Sequence, residues 1–199
     1  MIINGLTKFE IENPKFKKMA SIYYPRTFQG FMNWKPETRY KYEWNKGKIE
    51  KTDNMKQLEF FIIKALSRLF ITTKAYQNGG ELMTEGDVLT SEEQLRRPDM
   101  SFYTQSQIIE MANGANQVPA FVIEIISPTD NQNKILEKNQ EYFSAGVEII
   151  WLIMPKLKQV HVFSSPKKIQ ICTEDDICSA APVLPDYQIS VNQLLQVPS

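Results

Sequence analysis

A glutamate interrupts an otherwise apolar run, Ala120-Phe121-Val122-Ile123-Glu124-Ile125-Ile126, entered after Pro119 and left at Ser127-Pro128. The β-branched residues and the flanking prolines predict a core strand buried on both faces, as in a sheet covered on each side. An unpaired carboxylate in such a strand costs on the order of several kcal/mol. Three compensations are open: a basic partner, a proton held by a raised pKa, or a divalent cation.

With 199 residues the chain suits one domain with one core. Its 23 basic residues balance its 23 acidic ones, so long-range attraction to nucleic acid or to an anionic membrane is absent overall and a polyanion would have to meet a local patch. The N-terminus lacks the pattern of a secretory signal, and no apolar stretch approaches the ~18 residues of a membrane span. A soluble, cytoplasmic protein is expected. Cys172 and Cys178, separated by Thr173-Glu174-Asp175-Asp176-Ile177 and with no histidine nearby, suit neither a zinc site nor a disulfide scaffold and are expected to be free thiols.

Residues 1–39, punctuated by Pro14, Pro25 and Pro36, read as an N-terminal arm or short helix, with the core spanning 40–199. Tyr40-Lys41-Tyr42-Glu43-Trp44, the turn Asn45-Lys46-Gly47-Lys48 and the return at Ile49 predict a hairpin. Met55, Leu58, Phe61, Ile62, Ala65, Leu66 and Leu69 keep helical spacing behind Asp53 or Asn54 as a cap. Glu81 to Leu89 predicts a strand, and Ser91 to Gln94 a polar loop before Arg96-Arg97-Pro98-Asp99. Met100 to Tyr103 continues as a strand with Asp99, Ser101 and Tyr103 on one face, and 105–116 is helical or looping. Thr129-Asp130 caps a helix over about 131–145, closed by Gly146. Residues 148–154 form another buried strand, 159–163 its antiparallel neighbour, 168–172 a further strand, and 191–195 a closing helix. The fold class that follows is mixed α/β or α+β around a central sheet.

Four positions stand out together: Asp99 at a strand entrance, Glu124 within the next strand, Lys138 in the following helix, and Glu43 upstream. Two carboxylates on neighbouring strands can hold a hard divalent cation through oxygen, leaving positions for water and a phosphate. A lysine beside them can orient the attacking water, deprotonate it if burial lowers its pKa, and offset charge on the phosphate. On the predicted helix Ile135, Leu136, Tyr142 and Phe143 define the apolar face, with Lys138 at its margin and Lys134 further toward solvent; the Lys138 stem can lie on apolar surface while its ammonium reaches over the sheet.

Each of these has a plainer reading. Glu124 and Lys138 can be a buried ion pair without catalytic role, and physics alone weighs the two accounts equally. A Pro-Asp pair is often turn chemistry. Arg96 and Arg97 are more often solvated loop charges than phosphate ligands, although their place beside Asp99 suits a polyanion. Ser127 lacks a histidine partner, since the single His161 lies in an alternating strand, and Gly79-Gly80 lacks the Lys-Ser/Thr of a phosphate loop.

Arg97-Pro98-Asp99, Val122-Ile123-Glu124-Ile125-Ile126-Ser127-Pro128, Lys138 with Tyr142, Gly146-Val147, Trp151-Leu152-Ile153 and Pro155, in this order, resemble the Uma2 family of restriction-endonuclease-like proteins. The resemblance spans about 40–163, and Tyr42-Glu43 with Gly47 is similar to the family's early hairpin. It implies a PD-(D/E)xK nuclease-like fold, a central mixed sheet flanked by helices, and hydrolysis of nucleic-acid phosphodiester bonds dependent on Mg²⁺ or Mn²⁺. Asp99 and Glu124 would hold the metal with the carbonyl of Ile125, Lys138 would activate water, Glu43 would be the additional acid, and Arg96, Arg97 and Lys134 would face the nucleic acid. DNA is the first expected partner and a homodimer the expected form for cutting both strands; no membrane is involved.

The chain departs from the pattern at three places. Ile126 stands where the motif's lysine usually follows, Lys134 replaces an acidic residue of the helix, and Met154 replaces one before Pro155; the family's upstream histidine is missing as well. The alternative is a non-catalytic nucleic-acid-binding or protein-interaction module that keeps Glu124 and Lys138 as a structural pair.

Overall fold

The structure, a computed structural model, describes residues 24–36, 40–53, 57–128 and 130–196. The chain divides into two compact units between Pro36 and Glu37. In the first, a short helix α1 (Phe28–Met32) starts at Thr27, whose Oγ1 accepts the Gly30 N–H, and Tyr24 packs its ring on Trp34. The residues before 24 lie outside those described.

The second unit begins with the predicted hairpin, β1 (Tyr40–Asn45) and β2 (Lys48–Asp53), turning at Lys46 and Gly47, both at positive φ. Helix α2 (Gln57–Phe70) follows; its proposed caps and Met55 fall outside the described side chains. Ile62, Ile63, Leu66 and Phe70 are its buried stripe, whereas Leu58 is exposed. A short helix α3 (Lys74–Gln77) leads to β3 (Glu81–Thr84). The single strand expected over 81–89 is broken at Glu85, which has positive φ, and resumes as β4 (Val88–Ser91). The expected polar loop is the tight turn of a hairpin between β4 and β5 (Gln94–Arg96), with Ser91 paired to Gln94. This corrects the setting of Arg96, which is a strand residue.

Then come β6 (Met100–Tyr103), α4 (Gln105–Ala112), β7 (Phe121–Ile125) and α5 (Gln132–Ala145). The cap of α5 is Asn131, whose side chain accepts the Asn133 and Lys134 N–H groups, whereas Asp130 accepts the Ser127 N–H; Thr129, the other expected cap, lies outside the described residues. Gly146 closes the helix at φ 110, as its sequence position predicted. Strands β8 (Ile149–Met154), β9 (Gln159–Ser165) and β10 (Lys168–Thr173) complete the main sheet, before a hairpin of β11 (Ile177–Ala180) and β12 (Leu184–Ser190) and the closing helix α6 (Val191–Leu194).

Among the described residues, the main sheet runs β10-β9-β8-β7-β6-β3 and a second sheet runs β2-β1-β5-β4. Only β7 and β8 pair parallel; the other neighbours are antiparallel. The main sheet is therefore mixed, with β7 near its centre and buried along its whole length. One face packs Met100, Phe121, Ile123 and Trp151 against α2, β12 and α6; Trp151 stacks on Tyr187 at 5.6 Å, and Phe121 meets Trp151 edge to face at 5.3 Å. The other face packs Val122, Ile150, Leu152 and Phe163 against Tyr142 of α5. Both predicted faces of the Glu124 strand are thus covered, which is what makes its carboxylate a problem to be solved locally.

Asn131 satisfies two amide donors at the start of α5, so Asn131→Ala should lower stability by about 1 kcal/mol, read as a fall in the urea midpoint at unchanged slope.

Candidate active site

The register Met100↔Ile123, Ser101↔Val122 and Phe102↔Phe121 between β6 and β7, continued one step, brings Asp99 opposite Glu124. Strand alternation puts both on the α5 side with Ser101 and Val122, away from the larger apolar core. The juxtaposition is fixed by the Ile125 N–H, which donates to Asp99 Oδ2 at 2.6 Å. On β1 the same alternation places Lys41 and Glu43 on one face. From above, α5 presents Ile135, Lys138, Asn139 and Tyr142, a helical stripe that faces inward although two of its members carry strongly polar ends. Leu136, expected on the apolar face, is exposed.

Lys138 sits between two carboxylates, 2.8 Å from Glu43 Oε1 and 2.8 Å from Glu124 Oε1. Tyr142 donates its hydroxyl to the same Glu124 oxygen at 2.7 Å, which leaves Oε2 without a donor among the described residues. Asp99 Oδ1 pairs with Lys41 at 2.9 Å. Glu43 also accepts the Arg97 N–H at 2.9 Å. Lys41, Glu43, Asp99, Glu124 and Lys138 line one cavity of about 390 Å³.

Burial lowers the Lys138 pKa, but Glu124 and Glu43 outweigh it and hold the ammonium above its ordinary value. The lowered pKa that would have made Lys138 a base is therefore not what this setting produces; it favours the ammonium, a hydrogen-bond donor. Burial is also the largest influence on Glu43, pushing it up, yet Lys138, Lys41 and the Arg97 amide together bring it down to about 2. Glu124 shifts the other way, raised by burial and by the nearby Asp99 and Glu43 charges against the pull of Lys138 and Lys41. Burial and the Glu124 charge raise Tyr142, keeping its phenol a donor.

Behind this cluster Arg96, 2% exposed, binds three carboxylates: Glu141 Oε2 through Nε and Nη2 at 2.7 and 2.6 Å, and Glu50 and Glu43 through Nη1 at 2.9 and 3.2 Å. Glu43 and Glu50 are cross-strand neighbours on β1 and β2, a like-charge pair that this guanidinium makes tolerable. The expectation that Arg96 meets a phosphate at a loop does not match this position: the side chain is inside and its donors are engaged. Arg97 pairs with Asp87 and its side chain is not part of the cavity wall. Lys134 does line the cavity, largely exposed, while binding Glu50 at 2.8 Å.

The structure thus brings Asp99, Glu124, Ile125, Lys138 and Glu43 to one cavity. Sequence reasoning missed Lys41, Glu50, Glu59 and Glu141. Lys41 had a signal, its two-residue spacing from Glu43 in an alternating strand. Glu59, on the first turn of α2 and lining the cavity, had none.

The Uma2 family, described as "Putative restriction endonuclease", matches residues 28–192, and the chain belongs to it. Among solved structures, the chain is similar to the crystal structure of a "putative nuclease belonging to DUF820" from Anabaena variabilis, with a TM-score of 0.74 and 22% identity, covering 86% of this chain and 98% of that one. No curated protein matches the sequence. The fold is the mixed-sheet, helix-flanked architecture that the resemblance implied. None of the described helices is long and apolar enough to cross a membrane.

Restriction-endonuclease-like families generally use divalent metals, which makes the fit of this donor set to one the next question. Among the described residues no group of three or more His, Cys, Asp or Glu side chains is placed to hold a metal ion. Two facing carboxylates are present, and a hard cation satisfied by oxygen can complete its shell with a main-chain carbonyl, water and phosphate. With Glu124 across from Asp99 in the strand register and both lining the cavity, the oxygen donors suit Mg²⁺ or Mn²⁺ rather than a softer metal.

Glu43 ionises more readily folded than unfolded, where its ordinary value is 4.5, so its stabilisation is complete above that pH and disappears as the pH falls toward about 2. Glu124, shifted upward, acts in the opposite sense and gains by protonation. Glu43→Gln should therefore cost on the order of 3 kcal/mol at pH 7, and the gap from the parent should narrow progressively between pH 4.5 and 2. Urea melts of the two proteins at several pH values measure that gap directly.

Proposed function

We propose that this protein is a divalent-metal-dependent nuclease that hydrolyses phosphodiester bonds in nucleic acid. The observation that carries the reading is Glu124, which lies across the β6–β7 register from Asp99 and lines a polar cavity with it, one of its oxygens held by Lys138 and Tyr142. Asp99, Glu124 and the carbonyl of Ile125 would hold Mg²⁺ or Mn²⁺. When bound, that ion supplies Lewis-acid polarisation of the phosphate and a lowered pKa for attacking water. The residues themselves do the rest. Lys138, fixed by Glu43, presents an ammonium that orients the water and stabilises charge on the phosphate; Tyr142 keeps Glu124 in one rotamer. Glu43 acts as the additional acid by holding Lys138 in place. Lys134, at the cavity mouth, suits the approach of a phosphate backbone, and DNA is the substrate class to test first. For cutting both strands the protein would act as a homodimer, in the cytoplasm.

A second reading is favoured by one specific observation: the Lys138 ammonium already has two carboxylate partners, as a purely structural cation would. Under it the protein is a non-catalytic binding module. Stability does not separate the two readings. Removing Lys138 takes away the direct cation of buried Glu124 and one of the two cations paired with Glu43 in either case, so Lys138→Met should cost roughly 3–5 kcal/mol whichever holds.

Cleavage does separate them. Purified protein and Glu124→Ala are incubated with supercoiled DNA, linear DNA and single-stranded RNA in Mn²⁺ or in EDTA. Cutting that needs Mn²⁺ and falls to the EDTA background in Glu124→Ala is the expected result; no cutting of any substrate by a folded parent protein would sink the nuclease reading in favour of the binding module.

A further inference from the structure

Lys41 has no part in the motif that marks the family, yet it occupies the most consequential place in the cavity. Asp99 Oδ2 is held by the Ile125 N–H at 2.6 Å, so Oδ1 is the oxygen free to turn toward a ligand, and Lys41 Nζ lies 2.9 Å from it. The lysine side chain is 11% exposed and lines the same cavity as Glu124 and Lys138. Its one direct ion pair is with Asp99, whereas Glu43 and Glu124 are met directly by Lys138, and Glu43 by Arg96 as well.

From this geometry we propose that Lys41 is a built-in stand-in for the divalent cation: its ammonium neutralises Asp99 until Mg²⁺ or Mn²⁺ binds, and then withdraws from Oδ1 into the cavity. The proposal rests on the metal-dependent reading above. An ammonium and a divalent ion sharing one carboxylate oxygen would stand a few ångströms apart, where like charges repel strongly in a poorly solvated setting. Of the two, the ammonium moves, because it rides on a flexible four-carbon stem. The exchange keeps Asp99 neutralised throughout, first by the Lys41 ammonium and then by the divalent ion.

Two measurements test this. Mn²⁺ binding is titrated calorimetrically on the parent and on Lys41→Met, with circular dichroism checking the fold. Without its competitor the variant should bind about tenfold more tightly. Independently, the parent is treated with an amine-acetylating reagent with and without Mn²⁺, and modification of Lys41 is read by mass spectrometry against exposed Lys46. Mn²⁺ should increase acetylation of Lys41 several-fold and leave Lys46 unchanged. If the parent binds Mn²⁺ but Lys41→Met binds it no more tightly, or if Mn²⁺ leaves Lys41 acetylation the same or reduces it, Lys41 is not displaced and the proposal is overturned while the nuclease reading stands. Absence of Mn²⁺ binding in both proteins would overturn the metal-dependent reading and this proposal with it. Should Lys41→Met not fold, acetylation of the parent decides alone.

Discussion

The Lys138 ammonium, suspended between Glu43 and Glu124, is the interaction on which the rest of the cavity depends. It ties a strand of the smaller sheet, a strand of the main sheet and helix α5 to a single point. Each carboxylate alone would be too costly to bury in its strand; one cation makes both tolerable, provided that the three elements meet within hydrogen-bonding distance. This requirement explains why the inward stripe of α5 is so polar. A helix carrying leucine at 138 would cover the sheet as well, but would leave two charges in its floor.

A second cation does related work one layer back. Arg96 gathers Glu43, Glu50 and Glu141, holding the β1–β2 hairpin, β5 and α5 together. Its planar fork can serve several carboxylates at once, which an ammonium on a flexible stem does less well. Glu43 joins the two layers, with one oxygen toward Arg96 and the other toward Lys138. Disturbance of the outer layer therefore reaches Lys138 through a single rigid carboxylate. Burial by itself would make Glu43 a weaker acid; its strong acidity shows that the cations dominate there, whereas at Glu124 burial and neighbouring negative charge dominate. Two glutamates that share one lysine are thereby set apart in their readiness to take a proton.

Much of this was legible in the sequence because it followed simple periods. The two-residue alternation of β1 and β6 and the β-branched, apolar run of β7 around Glu124 announced strands, and Gly146 announced the end of α5. What escaped depended on contacts distant in sequence. The β11–β12 hairpin was hidden because Pro185 interrupts its second strand, and proline counts against a strand; only its placement over Trp151 and Leu66, through Tyr187, gives it a purpose. Arg96 looked like a loop charge because Glu92-Glu93 next to it is a polar tip, and nothing local reveals that Glu50 and Glu141 converge on it. Leu136 was placed on the buried face by its helical angle from Ile135, yet it is exposed, and the inward stripe of α5 includes Lys138 above the carboxylates.

Ile126 shows why the lysine arrives from a helix in this chain. Two residues beyond Glu124, it shares that residue's side of the strand, and it packs against the smaller apolar cluster of Val122, Tyr142, Ile150 and Leu152. Its N–H donates to the Ile153 carbonyl at 2.8 Å, extending the pairing with β8 past the end of β7. A lysine at 126 would have to bury its stem among these side chains and direct its ammonium along the sheet. With isoleucine there, the floor under α5 stays apolar, Tyr142 stays seated on it, and the ammonium comes instead from Lys138 one helical turn before Tyr142. Strand and helix thus exchange duties: the strand position completes the packing that holds α5 down, and α5 returns the cation that the strand's own glutamate requires.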